Sequence, residues 1–297
     1  MQSSPRLGLF LGFLGAAMFA GSLPATRLAV GAFTPLFVAS SRTMLAGCAG
    51  LLLIVVMRRS LPPKRLWGIL VISALGNAVG FPLLSAIGMH SVPASHGGVV
   101  VGLLPLATAV CAAIAAKERP SPGFWIAAVV GAAIVSGYAL RQGHGAMTVG
   151  DAALLGAVAS ASIGYTAAAI AARDMQGWEV SSWSVVLLLP FYAVATVVFW
   201  PDHALAAPHS AWAGVVYGAF VAQWIAFFAW NAGLSLGGIA RVAQVQLLQP
   251  FMTVLIAAQF NGEPINAETI LFAAAVVVVV LIGQRMRVPR RSVIEKA

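Results

Sequence analysis

Ten apolar segments, each long enough to cross a bilayer, fill this chain almost end to end. They run over 8–30, 33–57, 66–89, 94–116, 123–140, 151–172, 180–200, 210–234, 239–260 and 267–284. A helix needs about twenty mostly apolar residues to cross the hydrocarbon core. Lipid offers the backbone no hydrogen-bond partner, so only helices or a closed barrel can span it. Segments of this length predict helices. Of the 297 residues only 8% are charged, against about a quarter in a soluble domain, which is too little to cover a water-facing surface. The chain reads as an all-α integral membrane protein. Arg6 followed by LGLFLGFLGAAMFA has the form of a signal peptide. The apolar stretch continues through Leu28 to Val30, however, and nine more spans follow, so it reads as a retained first helix. The connections are short and rich in turn formers, as in Ser60-Leu61-Pro62-Pro63 and Asn261-Gly262-Glu263-Pro264.

The net charge of +9 does not imply a nucleic-acid partner, because the basic residues sit in short loops and in the tail. On one side fall Arg6, Arg58, Arg59, Lys64, Arg65, Lys117, Arg119, Arg173, Arg241, Arg285, Arg287, Arg290, Arg291 and Lys296. The other side has Arg27 and Arg141, and Arg42 lies inside the second span. Lys and Arg mark cytoplasmic loops, so the expected location is the inner, cytoplasmic membrane with both termini cytoplasmic. Cys48 and Cys111 lie in separate spans without a CxxC or Cys/His cluster and read as buried thiols.

A repeat then organises the spans. Shifted by 145 positions, Pro105–Glu118 (PLATAVCAAIAAKE) lies on Pro250–Glu263 (PFMTVLIAAQFNGE). The prolines coincide, as do Thr108 with Thr253, Ala112-Ala113 with Ala257-Ala258, Glu118 with Glu263 and, further upstream, Gly88 with Gly233. The matching segments are spans four and nine, so each half holds five spans, residues 1–145 and 146–297. An odd number per half makes the second half enter the membrane from the opposite side. Inverted repeats place a binding site at mid-membrane between the halves and allow alternating access. Here the site is expected between spans one, three and four and spans six, eight and nine.

With these features the chain resembles the drug/metabolite transporter superfamily, in its EamA-type, ten-helix branch. The resemblance rests on Arg42 after the Pro35 start of span two, Glu118 and Glu263 closing spans four and nine, Gly150-Asp151 opening the second half, and Phe228-Ala229-Trp230-Asn231-Ala232 in span eight. It covers nearly the whole chain. It implies export of small metabolites, with exporters of amino acids, the aromatic ones included, the nearest in kind. Early in span one this chain has Phe10 and Phe13 where the family commonly has a tryptophan, so no substrate contact is carried over to that span.

Polar groups inside spans mark candidate sites, because they are costly in lipid and face a cavity or a partner. In span nine Gln246, Gln249 and Thr253 are spaced to share one helical face. That face reads as a cavity wall, with interhelical hydrogen bonding as the competing reading. In span eight Gln223, Trp224, Phe227, Trp230 and Asn231 fit either an aromatic-lined cavity or plain packing. Asn77 in span three and Tyr165 with Ser162 in span six are candidates of the same kind. His96, opposite Arg241 at the repeat offset, could titrate near neutral pH or be an interfacial loop-end group. Pro105 and Pro250 remove a backbone donor and are the expected hinges. Arg42, Glu118 and Glu263 read as structural charges, the glutamates as caps at span ends.

All eight acidic residues fall at span ends, in loops or in the tail. A proton-coupled multidrug exporter ordinarily needs a carboxylate at mid-membrane, so that reading ranks below a facilitator of neutral or zwitterionic metabolites. A membrane-embedded enzyme ranks third, because no acidic cluster for a metal and no nucleophile–base pair stands out, and the inverted halves favour alternating access over a pore or channel. There is no GxxxxGK[ST]. No cofactor or metal is expected. The partners expected are a small-molecule substrate and the lipid bilayer, with the chain a monomer or weak homodimer.

Overall fold

The computed structural model describes residues 5–115, 121–142, 146–237 and 244–286, and every regular element among them is helical. Span one is Pro5–Ala20 with Ser22–Val30, span two Pro35–Val56, and span three runs from Lys64 to Ser91. Span four is Ala94–Val101 with Leu104–Ala115, span five Pro122–Gln142 and span six Val149–Ala171. Span seven is Gly177–Val186 with Leu189–Val198, bent by 46°. Span eight runs from His209 to Gly237, span nine from Gln244 to Asn261, and span ten is Ala267–Arg285. These are ten transmembrane helices in two inverted five-helix repeats. Leu52, Val55, Phe191, Val194 and Val197 point outward, as side chains in contact with lipid would.

Local chemistry sets the ends. Thr34 caps span two by accepting from the Phe37 amide at 3.3 Å, and Pro35 takes the first turn, where no amide partner is needed. Thr148 and Asp151 form a reciprocal capping box at the start of span six. Gly262 ends span nine at φ 67°, a left-handed position that only glycine takes at no cost. Pro93 precedes span four and has no side-chain acceptor, so the cap comes from elsewhere. The Glu263 carboxylate accepts from the Ala94 and Ser95 amides at 2.7 and 2.8 Å, where a helix N-terminus favours negative charge. Glu118, its counterpart at the repeat offset, lies outside the described residues, as does Arg241.

The breaks follow the repeat. Span four restarts as α-helix at Leu104 and span nine at Gln249, 145 positions apart, each just ahead of its proline. Spans five and ten begin at Pro122 and Ala267, again 145 apart. Span three is π-helical over Leu75–Gly80, and span eight over Tyr217–Ile225, which contains the equivalent stretch. Spans four and nine cross at these faults: a Cβ on Gly102 would meet the Pro250 ring at 3.0 Å, and one on Gly98 would meet Thr253. The two matched glycines are close crossings as well. A Cβ on Gly88 would sit 2.7 Å from the Leu154 side chain of span six, and one on Gly233 would sit 2.6 Å from the Gly12 backbone of span one.

Candidate functional site

A narrow cavity opens in the middle of the bundle, where the halves meet. Phe19 and Ser22 line it from span one, Arg42 from span two, Asn77 and Phe81 from span three, and Val101 and Leu104 from span four. From the other half come Tyr165, then Ala222, Gln223 and Phe227, and Gln249. All six spans expected at the site contribute, and span two joins them through Arg42. Two pairs of lining positions, Asn77 with Ala222 and Leu104 with Gln249, are 145 apart, so the cavity takes equivalent places from both repeats. Its interior gives water centres about 30 Å³. That suffices for a couple of waters and must widen to hold a metabolite.

The polar wall is built from directional hydrogen-bond chains. Arg42 is 2% exposed, lies against Gly218 in the π-helical stretch of span eight, and is in no ion pair among the described residues. Its Nε donates to Gln223 Oε1 at 2.9 Å, and Nη1 donates to Thr26 Oγ1 at 3.2 Å. Gln223 Nε2 donates to Thr43 Oγ1 at 2.9 Å, and Thr43 donates on to the Ala78 carbonyl at 3.2 Å. The Tyr192 hydroxyl donates to the same carbonyl at 2.8 Å. Ala78 lies in the π-helical stretch of span three, where the altered ladder leaves carbonyls open to such donors. The remaining guanidinium N–H groups have no partner among the described residues, and a guanidinium is always charged.

A second chain orients Asn77. Ser184 Oγ donates to the Val180 carbonyl at 2.8 Å and therefore accepts from Ser73 Oγ at 3.1 Å. Ser73, its proton spent, accepts from Asn77 Nδ2 at 3.4 Å. The amide is thus turned so that Oδ1 is left buried without a partner among the described residues. The aromatic wall is Phe19 edge-on to Phe227 at 4.9 Å, with Tyr165 edge-on to Phe227 at 5.7 Å.

Of the site candidates singled out from the sequence, Asn77, Tyr165, Gln223, Phe227 and Gln249 line the cavity; Ser162, Trp224, Gln246, Thr253, Trp230, Asn231 and His96 do not. The single α-helical face expected through Gln246, Gln249 and Thr253 is interrupted, because Gln244–Leu248 is a 3₁₀ turn and the α-helix starts only at Gln249. The Thr253 hydroxyl donates at 3.0 Å to the Ala20 carbonyl. That carbonyl would otherwise bond the amide four residues on, which is Pro24 and has none. Trp230 packs on Phe19 at 6.3 Å, and Asn231 lies against Gly177. Pro105 and Pro250 lie at the two breaks, Pro250 on Gly102. Phe19 and Phe81 of the cavity went unremarked in the sequence, since nothing sets one apolar residue of a span apart from another; Ser22 also went unremarked, although a polar group inside a span was a signal that could have found it.

His96 is tied to Asp151, an alliance invisible in the sequence. Its Nε2 lies 2.6 Å from Asp151 Oδ1, both groups are buried, and the imidazole stacks on Tyr138 at 4.9 Å. The Tyr138 hydroxyl bonds Thr269 at 3.1 Å. This cluster, with Glu263 on span four and the Arg141–Glu268 ion pair, ties both halves together at the lysine-free end of the bundle.

The sequence profile of the EamA-like transporter family matches the chain twice, over residues 6–139 and 148–283. The uncharacterized transporter YdeK of Bacillus subtilis (strain 168) is 39% identical over 278 residues, covering 94% of this chain and 97% of that protein. A protein of known crystal structure, 20% identical, superposes with a TM-score of 0.65 over 96% of this chain and 98% of its own, and shares the fold.

Proposed function

The chain belongs to the EamA-like transporter family, and from that membership and the central cavity we propose that it carries small metabolites, foremost amino acids including aromatic ones, across the cytoplasmic membrane. It acts as a facilitator by alternating access, in the export direction, with both termini cytoplasmic. The observation that carries this reading is the composition of the cavity: it draws on both repeats, pairs an aromatic wall with amide and guanidinium groups, and holds no carboxylate among the described lining residues. A neutral or zwitterionic solute suits such a lining, and a cationic drug has nothing there to replace its counter-ion.

In this mechanism the halves rock about the breaks at Pro105 and Pro250, and the cavity widens toward one side at a time. The close crossings at Gly88 and Gly233 are the contacts that would part. The test is uptake of labelled aromatic and aliphatic amino acids into liposomes holding the purified protein, with and without an imposed pH gradient. Uptake of several amino acids that does not need the gradient is the expected result. Movement of a lipophilic cation driven by the gradient, with no amino-acid uptake, would overturn it. That second outcome would favour a proton-coupled exporter, for which the buried His96–Asp151 pair is the specific candidate.

A further inference from the structure

We propose that Arg42 and Asn77 are the two poles of the substrate site, Arg42 taking a carboxylate of the cargo and Asn77 Oδ1 taking a hydrogen of its amino group. This rests on the amino-acid reading above and assigns the part of the molecule that is recognised. The argument starts from what the cavity leaves unpaired. Arg42 is buried, faces the cavity and has no carboxylate partner among the described residues. Its two bonded N–H groups go to Gln223 and Thr26, which are neutral. Neutral acceptors orient a guanidinium without cancelling its charge, and an uncompensated buried charge is among the costliest arrangements in a protein. The remaining N–H groups form part of a planar fork matched to a carboxylate.

The Gln223 amide cannot turn away to solve the problem. Its Nε2 is committed to Thr43 and its Oε1 to Arg42. The chain Arg42–Gln223–Thr43–Ala78 runs one way, each donor ending on an acceptor, so the guanidinium is held in place before any cargo arrives. At the other pole the Asn77–Ser73–Ser184–Val180 chain also runs one way and leaves Oδ1 as a buried acceptor with no donor. The unpaired donor fork of Arg42 and the unpaired Oδ1 of the lining residue Asn77, which is packed against Gly164 until the cavity widens, are the complement of a molecule with a carboxylate and an N–H group. The ring of Phe227, with Phe19 and Tyr165 against it, gives the side chain of such a molecule an apolar place and its ammonium a π face. The zwitterion brings the anion that Arg42 lacks, while its own ammonium needs no resident carboxylate.

The test uses the full-length protein in liposomes with labelled L-phenylalanine as the reporter. L-Phenylalaninamide, which lacks the carboxylate, and 3-phenylpropionate, which lacks the amine, serve as unlabelled competitors. The amide should need at least about 30-fold more than L-phenylalanine to halve uptake, because it leaves a buried charge unpaired; phenylpropionate should lose about tenfold. Gln223→Glu places a resident carboxylate on Arg42 with the same geometry. It should raise the KM for L-phenylalanine by at least about 30-fold while the protein still elutes from detergent as one species. Asn77→Ala should erase the difference between L-phenylalanine and phenylpropionate.

If L-phenylalanine moves but the amide competes equally and Gln223→Glu is silent, the two poles are wrong and the amino-acid reading stands. If L-phenylalanine does not move at all and a lipophilic cation does, both readings fall together. The competitor series uses the unaltered protein, so it decides the matter even if a variant fails to fold.

Discussion

Spans three and eight hold the same place in their repeats and carry the same backbone fault, a π-helical stretch ending at Gly80 in one and at Ile225 in the other. Their side chains differ. Span three turns Asn77 to the cavity, and span eight turns Ala222 there at the equivalent position, with Gln223 beside it engaged on Arg42. Spans four and nine repeat the pattern with Leu104 and Gln249. The halves therefore share a scaffold, its breaks and its glycine crossings, while the polar lining is divided unequally between them. Motion needs equivalent hinges on both sides; recognition of a molecule with two different ends needs a site whose two sides differ. The first and seventh spans show the same freedom in the backbone: span one breaks at Gly21 and span seven bends by 46°, whereas their repeat partners, spans six and two, run unbroken.

The comparison can be broken most sharply at the matched glycines. Gly233→Val sets a branched side chain against the Gly12 backbone at 2.6 Å, whereas Gly88→Val first meets the buried Leu154 side chain at 2.7 Å, with the nearest backbone atom, the Gly150 carbonyl oxygen, at 3.2 Å. Gly233→Val should cost more than about 3 kcal/mol and abolish uptake, and Gly88→Val about 1–3 kcal/mol. Thermal unfolding in detergent reads both, and equal losses would mean that the two crossings are mechanically alike. Next in size is Gln223→Ala, which strips Arg42 of its oriented acceptor and should cost about 1.5–3 kcal/mol. Asn77→Ala gives up a single long bond to Ser73 and should cost well under 1 kcal/mol of stability while altering selectivity. A reversed order would show that the unequal lining serves packing.

Glu263→Gln keeps an acceptor at the start of span four and removes its charge. It should lower stability by about 0.3–1 kcal/mol, with Glu263→Ala worse at about 0.5–2 kcal/mol. Melting curves of the three proteins side by side check the ranking. The smallest contrast lies within span nine: Gln249→Ala should reduce uptake several-fold, and Gln246→Ala should leave it within about twofold, because only the first lines the cavity. Equal losses from both would bring the 3₁₀ turn into the site.

Hydropathy and the 145-residue offset are quantities read along one chain, and they sufficed for the helical class, the spans and the relation between halves. They also named six of the seven spans around the cavity, span two with Arg42 being the one missed. Five of the site candidates, Asn77, Tyr165, Gln223, Phe227 and Gln249, line that cavity, and the partial yield has a physical cause. Spacing in span nine was read at the α-helical period, and the 3₁₀ turn before Gln249 shifts the face on which Gln246 lies. Thr253 looked free for a ligand until the Ala20 carbonyl, orphaned by Pro24, claimed it.

Arg42 marks the limit most clearly. Its charge and its place inside span two are plain in the sequence, and they suggested a structural anchor. Whether a buried cation is cancelled or left open depends on which groups from other spans come within reach, and its main partner, Gln223, is 181 positions away. The same holds for His96 and Asp151, 55 positions apart and joined by one hydrogen bond. Apolar length and repeat period are local and additive, so they survive in the order of residues. The pairing of buried polar groups is settled only by helix crossings, where a shift of one residue or one break in a helix changes which donor meets which acceptor.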